Sequence, residues 1–223
     1  HATAMVQLGD KIVVTDPVFT RTIAELGARL VAPGLEAERL PPVDAVLISH
    51  MHMDHLSFGS LEKIAPVTRA LFVPAGGLVY IPDLDFPAFE LATWQSWEHD
   101  GLRITAVPVQ HSGSRYGADA AWMTATFTGY VIEYQGLTVY FGGDSAYARP
   151  LFAETAEAGK TAVVTGFLAE VVADETEREE VIRAAGNDAA IGGREQNFRR
   201  SRVPAGRCEK GAEADVDAAL LIG

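Results

Sequence analysis

The sequence contains very little cysteine and no long apolar segment. Cys208 is the single cysteine among 223 residues, so no disulfide can form within the chain. Iron–sulfur clusters and cysteine-rich zinc sites are excluded for the same reason. No apolar run approaches the ~20 residues of a membrane-spanning helix, and no signal peptide is recognisable. Any metal held by this chain must therefore be bound by histidine and carboxylate side chains.

Positive charge is also scarce. The chain has 18 Lys and Arg residues against 30 Asp and Glu residues, which gives a formal net charge of -12. An acidic surface repels phosphate backbones, so we expect no nucleic-acid partner. Apolar residues make up 48% of the chain and charged residues 22%, a balance that is sufficient for an ordinary globular core.

Short apolar segments, rich in β-branched residues and separated by turn residues, predict an α/β protein with a mixed sheet. We expect hairpins of residues 4–8 with 12–15 and of residues 130–134 with 137–141. Further strands are expected at residues 43–49, 71–73, 102–107 and 216–223. Apolar periodicity predicts helices at residues 20–30, 60–65 and 167–185.

Three of the six histidines fall within the run His50-Met51-His52-Met53-Asp54-His55. Residues i and i+2 of an extended chain point to the same side, so His50 and His52 can hold one ion. The turn that follows can bring Asp54 and His55 to the other side of that ion or to a second one. Imidazole and carboxylate groups suit zinc, and they also suit manganese or iron, so the residue types leave the metal open.

A surface histidine cluster is the alternative interpretation of this run. We disfavour it because the run directly follows the apolar segment 43–49, and strand ends are where α/β proteins carry functional groups. Two other positions follow the same logic. His111 comes after the strand 102–107, and Asp144 comes after the strand 137–141 and the pair Gly142-Gly143.

The ordered set of the 50–55 run, His111 and Gly143-Asp144 resembles the metallo-β-lactamase superfamily. Within it, the chain is most similar to the branch that contains N-acyl-phosphatidylethanolamine phospholipase D and the ascorbate-6-phosphate lactonases. Supporting segments are residues 15–17, 44–50, 108–111 and 142–147. The resemblance covers roughly residues 1–155 and 214–223.

This resemblance implies a four-layer αβ/βα sandwich with mixed sheets and two metal ions, expected to be zinc with manganese or iron as alternatives. It implies His50, His52 and His111 on one ion, Asp54 and His55 on the second, and Asp144 bridging both. Two ions ~3.5–4 Å apart then share a water, and a metal-bound hydroxide attacks a phosphodiester, lactone or ester. Asp54 is expected to act catalytically by orienting or deprotonating that water.

Three further residues are candidates for supporting roles. Asp16 is expected to hydrogen-bond a ligand histidine from behind, although a plain turn residue before Pro17 is an equal alternative. Arg115 and Trp122 follow His111 and are expected to contact substrate, with a solvated side chain as the alternative for Arg115. We expect a small-molecule or lipid-like substrate, no membrane insertion and, by default, a cytoplasmic location, whereas the oligomeric state is left open.

The chain departs from the superfamily pattern in its second half. The family places another histidine on the second metal, but no histidine follows His111. Both ends are expected to be cut, and residues 157–212 are expected to be an insertion or an irregular segment within a single domain spanning residues 1–223. The alternative to a hydrolase is therefore a metal-binding protein with lost or weak catalysis.

Overall fold

A computed structural model describes residues 3–24, 27–121, 126–146, 151, 155, 163–168 and 218–222. Thirteen strands lie in these ranges, together with the helix α1 (Phe58–Ile64). The strands are β1 (Ala4–Leu8), β2 (Lys11–Thr15), β3 (Thr22–Ile23), β4 (Gly27–Ala28), β5 (Ala45–Leu47), β6 (Leu71–Pro74), β7 (Ala88–Leu91), β8 (Ser96–His99), β9 (Leu102–Val107), β10 (Gly129–Tyr134), β11 (Leu137–Ser145), β12 (Val163–Leu168) and β13 (Ala218–Ile222).

The strands form two larger mixed sheets and one small ribbon. The first sheet has the order β13-β1-β2-β5-β6-β7, and its neighbours from β2 to β7 run parallel. The second sheet has the order β12-β11-β10-β9-β8 and is antiparallel except for the pair of β11 with β12. Within the first sheet, β2 and β5 run in the same direction, and within the second sheet β9 and β11 do so as well. The ligands were predicted at or near the C-terminal ends of these strands.

The main core lies between the two sheets. Side chains from both sheets form it, including Leu47 of β5, Phe72 of β6 and Ile104 of β9. A second apolar layer lies on the other face of the first sheet, where α1 packs with Leu61 and Ile64. Residues of β5 alternate between these two cores, so the strand is buried on both faces, as its continuous apolar sequence predicted.

Most predicted elements are present with small shifts in their bounds. Both predicted hairpins form, and the strand predicted at residues 216–223 is found as β13, which pairs with β1. The helix predicted at 60–65 is α1. In the described part of the chain, no helix has the length and apolar character that crossing a membrane requires.

The helix predicted at residues 20–30 is wrong. The chain forms the antiparallel ribbon of β3 and β4 instead, with Thr22 opposite Ala28. Leu30, which belongs to the predicted apolar face, has a fully exposed side chain. Gly27, which destabilises a helix interior, lies in β4. The isolated amphipathic pattern was therefore insufficient to predict a helix.

The helix predicted at residues 167–185 is wrong at its start, because residues 167 and 168 belong to β12. The remainder of that prediction lies outside the described residues. Apart from β12, the segment 157–212 also lies outside them, so its interpretation as an insertion stays a prediction.

Candidate metal centre

The first ligand position is fixed by contacts to both sheets. Ile48 continues from β5 and donates its N–H to Phe72 of β6 at 2.9 Å. The next carbonyl, of Ser49, accepts the N–H of Thr128 at 2.8 Å, and His50 forms a bridge with Phe127. His50 is buried as a result. The strand-end histidine therefore lies in the seam between the two sheets.

Three imidazoles meet at this seam. The ring centroid of His50 lies 4.5 Å from that of His52 and 4.3 Å from that of His111. One ligand atom from each ring lies within 4.8 Å of the others. Nδ1 of His52 faces Nε2 of His111 at 3.3 Å. The structure thus brings together the three histidines that the sequence assigned to one ion.

The chemistry of this trio fits a divalent transition metal. Nε2 of His50 is buried and has no hydrogen-bond partner among the described residues. A buried polar nitrogen without a partner is costly, and a metal ion on the lone pair satisfies it. The neighbouring rings of His52 and His111, which are partly buried, supply two further imidazole nitrogens.

A second group of candidate ligands lies beside the trio. Nε2 of His55 is 3.3 Å from Oδ2 of Asp144 and 3.7 Å from Oδ2 of Asp54. Both carboxylates are about one-third exposed, with side-chain exposures of 35% for Asp144 and 34% for Asp54. The ring of His55 is 4.1 Å from that of His50, so the two groups are adjacent. Two carboxylates and one imidazole also suit a divalent ion.

Asp16, expected either to support a ligand histidine or to be a plain turn residue, lies directly behind these candidate ligands. Its side chain is fully buried, and Oδ2 accepts a hydrogen bond from Nδ1 of His55 at 2.6 Å. The same oxygen accepts the hydroxyl of Ser49 at 2.6 Å, and Oδ1 accepts the N–H of Ser49 at 2.7 Å. Three donors compensate the buried charge. The backbone φ of 38° at Asp16 turns the chain so that the carboxylate reaches inward.

Gly143 allows the strand that carries Asp144 to approach the first ligand. A Cβ at Gly143 would lie 2.3 Å from Cβ of Ser49, and the residue has a φ of +57°. Both facts require glycine at this position. Beyond it, the N–H of Ala146 donates to the carbonyl of Gln110 at 2.8 Å, which ties the end of β11 to the loop that carries His111.

Without metal, the protonation states of the four site histidines are set by burial and by the carboxylates of Asp16 and Asp144. Burial lowers the pKa of His50 to about 2, and it also lowers the pKa values of His52 and His111. Burial acts in the same direction on His55, but Asp16 and Asp144 outweigh it and raise the pKa of that ring to about 10. The hydrogen bond with His55 in turn holds the pKa of Asp144 at about 2. The trio is thus neutral at pH 7, whereas His55 is charged.

Arg115 is buried beneath the loop that carries the ligands. Its Nη1 donates to the carbonyls of Met51 at 3.1 Å and Leu56 at 2.9 Å, and its guanidinium lies 4.1 Å from the ring centroid of Phe58. Asp119 accepts the backbone N–H of Arg115 at 2.8 Å. These contacts favour a role in holding the ligand loop over the expected contact with substrate. Trp122, the other expected substrate residue, lies outside the described residues.

Two polar residues at this site, Ser49 and Asp119, were not predicted from the sequence. Ser49 directly precedes His50 at the end of a buried strand, which was a usable signal. Asp119 accepts hydrogen bonds from the backbone of Arg115 and Tyr116 and from the hydroxyl of Tyr80. Its position in a loop far along the chain gave no local signal.

The fold and the site together define a class of protein. Two mixed sheets packed face to face, with His and Asp ligands at their common edge, are the metallo-β-lactamase fold, as predicted. The family model described as the Beta-lactamase superfamily domain matches residues 11–174, which is most of the chain. The chain therefore belongs to this superfamily.

Individual relatives agree with this assignment. An uncharacterized protein of Mycobacterium tuberculosis is 31% identical over 67% of this chain and 41% of its own length. An N-acyl-phosphatidylethanolamine-hydrolyzing phospholipase D of Caenorhabditis elegans is 28% identical over 70% of this chain and 48% of its own length. A metal-dependent hydrolase of Pyrococcus horikoshii is 28% identical over 69% of this chain and 64% of its own length. The chain thus spans about half the length of these relatives.

Solved structures show the same fold. An isothiocyanate hydrolase from Delia radicum gut bacteria matches with a TM-score of 0.57 and 18% identity, covering 82% of this chain and 78% of its own. A possible metal-dependent hydrolase of Veillonella parvula matches with a TM-score of 0.54 and 15% identity, over the same shares of the two chains, 82% and 78%. At these identities the likeness shows the fold alone.

Proposed function

We propose that this domain is a metal-dependent hydrolase that acts on a phosphodiester or on a lactone or other ester. The observation that carries the proposal is the trio of His50, His52 and His111, in which the buried Nε2 of His50 lacks any partner among the described residues. A nitrogen in that condition is consistent with a ligand position. Zinc is the expected ion, with manganese or iron as alternatives.

Divalent ions at such a site supply a water of lowered pKa and stabilise the negative charge that develops on the substrate. The chain's own residues orient the reactants. Asp54 presents a partly exposed carboxylate beside His55, so it can accept a proton from the attacking water. Asp144, whose Oδ2 lies 3.3 Å from Nε2 of His55, is the residue that we propose would bridge the two ions. Asp16 holds His55 in position from the buried side.

The relatives favour one substrate class over the other. One of them is named as a phospholipase D, which cleaves a phosphodiester, and another as a metal-dependent hydrolase. We therefore place a phosphodiester first and a lactone or ester second, in a small-molecule or lipid-like substrate. We further propose that residues 1–223 form one domain, because β13 pairs with β1, with Ile222 opposite Ala4.

A metal-binding domain with weak catalysis is the second candidate. It is favoured by the second group of ligands, for which the described residues supply His55, Asp54 and Asp144 but one imidazole only. A site with two carboxylates and one imidazole is expected to hold its ion less tightly than the trio holds the first.

The test combines metal content with turnover. The purified chain is loaded with Zn²⁺, Mn²⁺ or Fe²⁺, its bound metal is measured by mass spectrometry, and hydrolysis of bis-(p-nitrophenyl) phosphate and of a simple lactone is followed. His52→Ala should lose both metal and activity, whereas His99→Ala, which removes an exposed histidine outside the site, should keep both. Metal without turnover under any loading favours the second candidate. A metal content that His52→Ala leaves unchanged contradicts both.

A further inference from the structure

Ser49 has no role in the chemistry described so far, yet its hydroxyl lies between Asp16 and His50. We propose that Ser49 is a positioning residue, through which the Asp16 carboxylate fixes the tautomer of His50 while it holds the Nδ1 proton of His55 directly. One buried carboxylate would then direct the Nε2 atoms of both histidines towards the metals. This inference rests on the proposed function only in assuming that the site binds metal.

The proton positions follow from the hydrogen-bond inventory. A carboxylate can only accept, so the hydroxyl of Ser49 donates its single proton to Oδ2 of Asp16 at 2.6 Å. The hydroxyl oxygen then has only lone pairs to offer to Nδ1 of His50, which lies 2.9 Å away. Nδ1 of His50 must therefore carry the proton. Neutral imidazole has one proton, so Nε2 of His50 holds the lone pair.

The same carboxylate acts on His55 without an intermediary. Nδ1 of His55 lies 2.6 Å from Oδ2 of Asp16 and must donate to it. Nε2 of His55 is left to face Asp144 and Asp54. The ligand nitrogens of the two adjacent groups are thus selected by a single oxygen atom, reached directly from one ring and through the Ser49 hydroxyl from the other.

The surroundings of Ser49 hold the hydroxyl in this arrangement. The backbone N–H of Ser49 donates to Oδ1 of Asp16, and its carbonyl accepts from Thr128, so the residue is fixed on both sides. Gly143 leaves room for the side chain, because a Cβ there would lie 2.5 Å from the Ser49 hydroxyl oxygen. The close approach of β11 is thus compatible with a hydroxyl at residue 49.

The direct test is the tautomer of His50 in the metal-free protein, measured by long-range ¹H–¹⁵N correlation spectra. In the wild type, His50 should be protonated on Nδ1. In Ser49→Ala, the Nδ1 proton loses its acceptor, so the spectrum should show a mixture or the Nε2-protonated form. Ser49→Cys keeps a heteroatom at this position, slightly larger than the hydroxyl oxygen and a weaker acceptor, and should lie between the two. Ser96→Ala, which removes a strand serine bonded to Thr105, is the control and should leave His50 unchanged.

The second readout is Zn²⁺ affinity, measured by competition with a chromophoric chelator. Loss of a residue that orients a metal ligand typically weakens metal binding by about 10–100-fold, and we expect Ser49→Ala to fall in this range. Because Ser49 acts through Asp16, Ser49→Ala should weaken Zn²⁺ binding by less than about twofold when it is introduced into the Asp16→Asn variant. Ser96→Ala should bind Zn²⁺ like the wild type.

The outcomes separate this inference from the proposed function. Protonation of wild-type His50 on Nε2 overturns the inference, and so does a Ser49→Ala protein with unchanged tautomer and affinity. Full additivity of Ser49→Ala and Asp16→Asn would show that the two residues act independently and also contradicts it. If no protein binds Zn²⁺, the proposed function fails, while the metal-free spectra still decide the hydrogen-bond relay. If Ser49→Ala does not fold, Ser49→Cys supplies both readouts.

Discussion

The carboxylate of Asp16 lies 2.6 Å from Nδ1 of His55, and the exposures of the two side chains are 0% and 1%. The pair joins the end of β2 to a loop 39 residues further along the chain. Because both groups are withdrawn from water, removing either partner leaves the other buried without compensation, which costs more than the loss of an ion pair on the surface. The contact therefore contributes to the fold as well as to the ligand geometry.

Asp16→Asn should destabilise the metal-free protein strongly. The amide presents an N–H₂ group to donors on Ser49 and His55 that need acceptors, so buried groups lose their partners. Breaking a buried charged pair from one side costs about 3–5 kcal/mol. Urea unfolding of the metal-free variant should show this loss. Asp44→Asn is the matched control, since Asp44 also accepts a backbone N–H, from Ile12, but lies apart from the ligands. Equal midpoints for the two variants would contradict the expectation.

Gly143→Ala should be more harmful than Gly136→Ala. Both residues have positive φ, +57° and +80°, so both variants lose roughly 1–2 kcal/mol to the left-handed backbone. At Gly136 a Cβ meets nothing within 4 Å, whereas at Gly143 it overlaps Ser49. Overpacking adds about 1–3 kcal/mol. Thermal unfolding should therefore separate the variants, and Gly143→Ala alone should lose Zn²⁺ affinity. Indistinguishable melting temperatures would show that β11 can move away freely.

Local sequence was sufficient to predict the strands that carry the ligands. The segment around β5 is continuously apolar, and both of its faces are buried in the structure. Because the apolar run ends abruptly at Ser49-His50, the end of the strand predicted the position of the first candidate ligand. The same reasoning located His111 and Asp144 beyond β9 and within β11. Each of these predictions depended on a run of a few residues.

The predictions that failed, and the residues that were missed, depend on contacts between distant parts of the chain. The pattern at residues 20–30 suits a helix, but no apolar surface covers Leu30, and a ribbon forms. Arg115 follows His111, which suggested contact with substrate or a solvated side chain, and its burial contradicts the solvated alternative. Its partner Met51 is 64 residues away, and no local pattern shows that the side chain turns inward. Long-range hydrogen bonds of this kind have no periodic signature in the sequence.

Arg115→Met should loosen the ligand loop. Methionine retains part of the apolar contact with Phe58 but cannot donate to the carbonyls of Met51 and Leu56. Each buried carbonyl left without a donor costs about 1–3 kcal/mol, so the variant should unfold at lower urea and bind Zn²⁺ more weakly. Arg103→Met is the control, because Arg103 is half exposed and pairs with Glu98 on the surface. A variant of Arg115 that keeps its stability but loses substrate affinity would instead support the contact with substrate expected from the sequence.

The two groups of ligands should differ in the protons that they release on binding metal. His50, with its pKa lowered to about 2 by burial, is already neutral at pH 7 and has no proton to lose. His55 has a pKa raised to about 10 by Asp16 and Asp144 against the effect of burial, so it is protonated there and must lose one proton to bind an ion. Affinity at the His55 group should therefore rise about tenfold per pH unit, levelling off near pH 10, while affinity at the His50 trio changes little over the same window.

Calorimetry in buffers of different ionisation enthalpy measures this proton release directly. Near pH 7.5, titration of Zn²⁺ into the metal-free protein should release close to one proton with the weaker binding step and fewer with the tighter step. His55→Gln removes the titrating ring and should abolish the release in the weaker step, whereas His99→Gln, at an exposed position, should not. Equal proton release in both steps would mean that Asp16 and Asp144 do not hold the extra proton on His55, and the charge distribution described for the metal-free site would be wrong.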